Sequence, residues 1–225
     1  MPQCAHNEPK FGPGEGTRYC NCSYVLLGLM VERASGMRYR DYVVRHVFGP
    51  AEMDRSGFFR LDRIEPDVAE GADPVTDASG ALVGWRRGIY SYPPVGSPDG
   101  GAYVTARDLI AFHDALRNGR LLGEELTAAI LRPKEDYREL PTGSHRTGYG
   151  FEFEVDRNGE VTTYWKNGVN VGVSAALAYW PRQDVTFAVL SNREDGAWTP
   201  IEAIRTALRD DLRETSGPAP EAPSE

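Results

Sequence analysis

No apolar run in this chain approaches the ~18 residues that a membrane-spanning helix needs, so a helical membrane span is excluded from its 225 residues. The segment Met1 to Lys10 has no apolar middle of the kind a secretory signal carries. As written the start suits a cytoplasmic protein. A longer parent whose N-terminus lies upstream would leave an extracytoplasmic location open. Cysteine is scarce: Cys4, Cys20 and Cys22 are an odd count with no framework spacing, so no disulfide staple is expected. Positive charge is short as well. Lys and Arg number 25 against 33 Asp and Glu, a net charge of -8, and this excludes the basic footprint of a nucleic-acid-binding surface. The Gly-x-Ser-x-Gly nucleophile elbow is missing, since Gly172-Val173-Ser174-Ala175-Ala176 lacks the final glycine. Cys4-Ala5-His6 and Cys20-Asn21-Cys22 offer four ligand atoms for zinc, but Cys-x-Cys is not the common knuckle spacing. Neither a metal nor a cofactor is expected. His46, His113 and His145 stand singly and read as surface or satisfied core histidines.

What is there suffices for a core: 40% of the residues are hydrophobic. Prolines and glycines keep residues 1 to 18 irregular. Apolar spacing at Tyr24, Leu27 and Val31 predicts a helix over 23–34, closed by Gly36. A short helix follows over 40–47 and stops at Gly49-Pro50. Residues 50–101, rich in Gly, Pro and Asp, read as a long and mostly irregular excursion. Thr105 and Asp108 make a capping-box pattern ahead of a helix striped by Leu109, Phe112 and Leu116. A further helix is predicted over 124–131. Strands are predicted over 149–155, 161–166, 173–180 and 185–191, with hairpin turns at 157–159 and 181–184. Thr199-Pro200-Ile201-Glu202 starts a helix that runs to about Leu212. Residues 216–225 form a Pro/Ala/Glu/Ser tail expected to be disordered. Helices set apart from an antiparallel meander indicate an α+β fold in a single domain over 1–215.

Two short constellations carry chemistry. Tyr19-Cys20-Asn21 sits just ahead of the first helix, and Lys166-Asn167-Gly168-Val169-Asn170-Val171-Gly172 closes one strand and leads into the next. Taken singly, each matches by accident too often to decide anything. In this order, however, 11–36 resembles the Tyr-x-Asn region of the serine β-lactamase/penicillin-binding-protein superfamily, in its class C and esterase-like branch. Lys166 to Gly172 resembles that branch's Lys-Thr-Gly strand. Gly100-Gly101 to Asp108-Leu109 and Val185 to Arg193 resemble two further blocks of it.

The resemblance implies a β-lactamase/transpeptidase-like fold, with an antiparallel sheet flanked by helices. It implies acyl transfer through a serine acyl-enzyme on β-lactam, D-alanyl peptide or carboxylic ester substrates. Tyr19 would share the general-base work, and Asn21 would hydrogen-bond the family's lysine and the substrate amide. Lys166 would supply charge to Tyr19 and to a substrate carboxylate, while Asn167, Gly168, Val169 and Asn170 would line the substrate strand. Val169 N–H would serve the oxyanion. Asn167 and Asn170 replace the family's usual threonines. None of the serines is followed at i+3 by lysine, so the Ser-x-x-Lys tetrad with which this chemistry begins is absent from the sequence. The chain is therefore expected to be the C-terminal two-thirds of the family fold, incomplete for want of the N-terminal strands and the Ser-x-x-Lys helix. It is expected to be inactive as it stands and open to self-association through its sheet. The alternative is a non-catalytic binding or structural module that retains the cleft.

Overall fold

The computed structural model describes residues 8–90 and 93–215. The expected tail at 216–225 lies outside the described residues. The first helix, α1, spans Asn21–Ser35 and ends at Gly36, whose φ of 70° is open to glycine without strain and whose N–H closes on Glu32 O. Helix α2, Tyr39–Val43, widens into a π-helical turn at Val44–Phe48 before Gly49-Pro50. Helix α3 spans Ala106–Arg117, α4 Glu124–Ile130 and α5 Trp198–Thr215.

Only half of the expected capping box forms. The Thr105 hydroxyl accepts from Asp108 N, but the Asp108 carboxylate turns instead to Arg55 N at 3.0 Å and the Ser56 hydroxyl at 2.7 Å. It thereby ties the excursion to α3.

Two pairs of strands depart from the sequence reading. Within the excursion, β1 (Ala72–Thr76) pairs antiparallel with β2 (Leu82–Arg87) around an Asp77 turn, so that stretch is not structureless. Next, β3 (Glu135–Leu140) and β4 (Gly143–Thr147) precede the expected strands. These are β5 (Glu152–Asp156), β6 (Val161–Asn170), β7 (Val173–Trp180) and β8 (Val185–Ser191). The main sheet is an antiparallel meander in the order β3-β4-β5-β6-β7-β8. Strand β8 pairs with β7 alone among the described strands and so leaves one edge open.

Period-2 alternation sends the sheet's side chains to two layers. On one face Phe153, Tyr164, Leu177 and Tyr179 pack with Leu116, Leu109 and Phe112 of α3. On the other, Ala178, Trp180 and Phe187 meet Ile201, Ile204 and Leu208 of α5. The fold is α+β, as the segregated elements indicate.

Helix α1 has one buried residue. Gly28 is its only buried position, and a Cβ there would stand 2.0 Å from Pro98 Cγ. Gly28→Ala is expected to lower stability by about 1–3 kcal/mol, because a proline ring in a packed turn gives way poorly. A urea or thermal melt showing no change would mean that Pro98 shifts freely. Four apolar residues of α1 stay largely outside the packing: Leu26, Leu27, Leu29 and Met30 are 49%, 53%, 42% and 66% exposed. Cys22 is disulfide-bonded, against the expectation of no disulfide, whereas Cys20 is free and exposed.

Candidate active site

Strand β6 outruns its neighbour. Its pairing with β5 ends at Trp165 opposite Glu152, while pairing with β7 continues from Tyr164 to Asn170. From Lys166 onward one edge of β6 is therefore unpaired by β5, and Asn167, Gly168, Val169 and Asn170 are exposed there. A strand edge that no described strand covers presents backbone groups that an extended substrate can join as a further strand.

The turn that follows is fixed from outside. Gly172 N donates to the buried Asp73 carboxylate at 2.9 Å, and Gly172 lies so close to Gly71 that a Cβ on either would sit within 3 Å of the other's backbone. Gly172 also has a φ of 69°. The β1–β2 hairpin thus seats against the end of β6, with Ala72 N donating to Asn192 O and Gly88 N to Gly71 O.

Tyr19 and Lys166, 147 positions apart in the numbering, come together. The Lys166 ammonium lies over the Tyr19 ring, 5.0 Å from its centroid. Asn21 opens α1 and lines the same cavity as Tyr19, Lys166 and Asn167 to Asn170. Between Tyr19 and Asn21 the Cys20 thiol is held below its usual range, chiefly by hydrogen bonding with Ser23. Ser174 is no nucleophile: it is fully buried, donates to Arg193 O and accepts from Ala197 N.

The cavity measures about 1330 Å³, and its inner wall is apolar, built by Leu109, Phe112, Leu116, Ile130 and Leu177. It is therefore polar at the mouth and oily at the back.

Sequence reasoning missed the groups behind Lys166. Glu152 Oε1 lies 3.5 Å from Lys166 Nζ, and Glu152 Oε2 accepts from His145 Nε2 at 3.1 Å. A carboxylate only accepts, so that nitrogen carries the proton. His145 is buried between the rings of Tyr137 and Trp165. These partners meet across three strands, and no linear spacing announces them. His113 is a satisfied core histidine, bonded to Tyr164 and Thr186. Among the described residues no group of His, Cys, Asp and Glu is arranged to hold a metal, and no helix is long and apolar enough to cross a membrane.

The Beta-lactamase family model matches residues 1–210. The chain belongs to the beta-lactamase family. Among solved structures it is similar to a penicillin binding protein from Bacillus halodurans, with 33% identity and a TM-score of 0.81 over 90% of this chain and 60% of that one. An octameric penicillin-binding protein homologue from Pyrococcus abyssi is 27% identical, with a TM-score of 0.70 over 87% of this chain and 43% of that one. A D-aminopeptidase of Cereibacter sphaeroides is 30% identical over 112 residues, which is 48% of this chain and 20% of that protein. The chain spans less than two thirds of the length of each. Beta-lactamase-family membership and the penicillin-binding-protein-like fold therefore stand together.

Proposed function

We propose that this chain is the tyrosine, lysine and oxyanion-strand part of a serine acyl-transfer hydrolase acting on β-lactam, D-alanyl peptide or carboxylic ester substrates. The observation that carries the reading is the Lys166 ammonium set over Tyr19 beside the stretch of β6 that runs on beyond β5. In this reading Tyr19 is the group that takes the proton from a hydroxyl nucleophile, and Lys166 packs against its ring. In the same reading Val169 N–H, in the stretch of β6 beyond β5, donates to the oxyanion, and Asn21 with Asn167 and Asn170 orients the substrate amide.

The serine comes from a Ser-x-x-Lys segment seated in the cavity. At about 1330 Å³ that space exceeds the ~300–1,000 Å³ of ordinary small-ligand pockets, and its apolar back wall suits the buried face of a helix. In this reading the single domain is 1–215 and can self-associate through its open edge; the Pyrococcus homologue is octameric.

The test is a titration of the isotopically labelled chain with N-acetyl-D-alanine N-methylamide. Amide signals of residues 167–170 are expected to move at millimolar probe while α5 stays still. Shifts spread over the surface, or none at all, would remove the substrate-strand reading.

A further inference from the structure

We propose that Glu152 is a positioning residue that neutralises Lys166 and thereby steers the site away from carboxylate-bearing substrates. The inference rests on the acyl-site reading and goes beyond it, because the family resemblance gives Lys166 the task of receiving a substrate carboxylate.

Three observations carry it. First, Glu152 is the opening residue of β5, at the point where β6 leaves its neighbour, and one of its carboxylate oxygens is 3.5 Å from Lys166 Nζ. Second, the other oxygen is tied down: His145 Nε2–H donates to it at 3.1 Å. His145 itself is buried and packs against the rings of Tyr137 at 4.9 Å and Trp165 at 5.2 Å between centroids. Third, the pair is partly shielded. Side-chain exposure is 26% for Glu152 and 36% for Lys166, which leaves their attraction less screened than that of an open surface pair. Lys166 thus already has its counter-ion. An incoming carboxylate must compete with Glu152 for the ammonium, whereas a neutral amide or ester does not. The chemical class favoured is an uncharged acyl group, and a free C-terminal carboxylate is disfavoured.

The experiment compares two probes that differ by one charge, N-acetyl-D-alanine and its N-methylamide, titrated into the full chain and followed at the amides of residues 167–170. The wild-type chain is expected to bind the anion no more than twofold tighter than the amide. Glu152→Gln, which keeps the shape and an acceptor for His145, is expected to bind the anion about 5- to 10-fold tighter with the amide unchanged within twofold. Lys166→Met added to Glu152→Gln is expected to abolish the gain, which assigns it to the freed ammonium.

Equal changes for both probes, or none for either, would make Glu152 a purely structural residue and overturn the proposal. Anion binding more than tenfold tighter in the wild type would overturn it without any variant, whatever the folding of Glu152→Gln. Failure of the neutral amide to move residues 167–170 would instead strike the acyl-site reading, and the proposal would fall with it.

Discussion

Purified as this 225-residue sequence, the chain is expected to show no covalent band with a fluorescent penicillin or a fluorophosphonate probe. Tyr19, Lys166 and a backbone N–H can polarise a carbonyl and move a proton, but they do not form the acyl bond; that needs a hydroxyl beside its lysine. No serine in the sequence has lysine at i+3, and the one serine embedded in a Gly-rich strand region, Ser174, is sealed by Arg193 O and Ala197 N. Fusing a Ser-x-x-Lys segment from a penicillin-binding protein ahead of residue 1 is expected to produce labelling on the new serine. In that fusion Tyr19→Phe and Lys166→Ala should each slow acylation by about 10²- to 10⁴-fold, the usual reach of a general base and its supporting charge. Labelling of the unfused chain, placed by mass spectrometry on Ser23 or Ser174, would overturn the account of the nucleophile. A fusion that labels with undiminished rates in both variants would remove Tyr19 and Lys166 from the machinery.

Some of the architecture could be read directly because it is local. The helix α1 rests on apolar spacing and a glycine stop. The strands β6, β7 and β8 rest on β-branched and aromatic runs between turns. The strands β3 and β4 escaped because nothing local marks them. Glu135–Leu140 has no buried position and only His145 is buried in β4, so the alternation that reveals a half-buried strand is absent. Pairing makes them strands, and pairing is a tertiary property. The hairpin β1–β2 escaped for a similar reason. It carries Pro74 and Gly84, and it is held by the Gly71–Gly172 contact and Asp73, partners about 100 positions away.

The site divides along the same line. Tyr19, Asn21 and Lys166 could be picked from short motifs. Glu152 has Lys166 and His145 as partners, both reached across the sheet, and its neighbours in sequence are aromatic residues that suggest only a core strand. The same holds for the apolar cavity wall. Leu109, Phe112 and Leu116 read as an ordinary core stripe, and only the fold shows that part of that stripe borders open space.

Stability is expected to fall as the pH drops from about 6.5 to about 4, through His113. The residue is fully buried between α3 and the sheet, where its Nε2 meets the Tyr164 hydroxyl at 2.7 Å and its Nδ1 meets the Thr186 hydroxyl at 2.9 Å. Burial first, then the nearby Arg117 charge, pushes its pKa down to about 4, against opposing pulls from Asp114 and Asp184. In the unfolded chain the imidazole takes its proton near pH 6.5, while the fold refuses it until about pH 4. Between those values the unfolded state binds more protons, so protonation favours unfolding and stability rises with pH. Across the window the loss amounts to about 3 kcal/mol, from about 1.4 kcal/mol per pKa unit. The carboxylates of Asp156 and Asp184, whose pKa values are lowered by hydrogen bonding, shed their contributions at lower pH than this window. Urea midpoints measured from pH 7 to pH 4 supply the slope. His113→Gln keeps a polar side chain of similar reach but cannot titrate. It should cost stability at pH 7, where the bonds to Tyr164 and Thr186 are re-formed less well, and should flatten the slope between pH 6.5 and pH 4. A slope that survives His113→Gln unchanged would assign the acid sensitivity to another group.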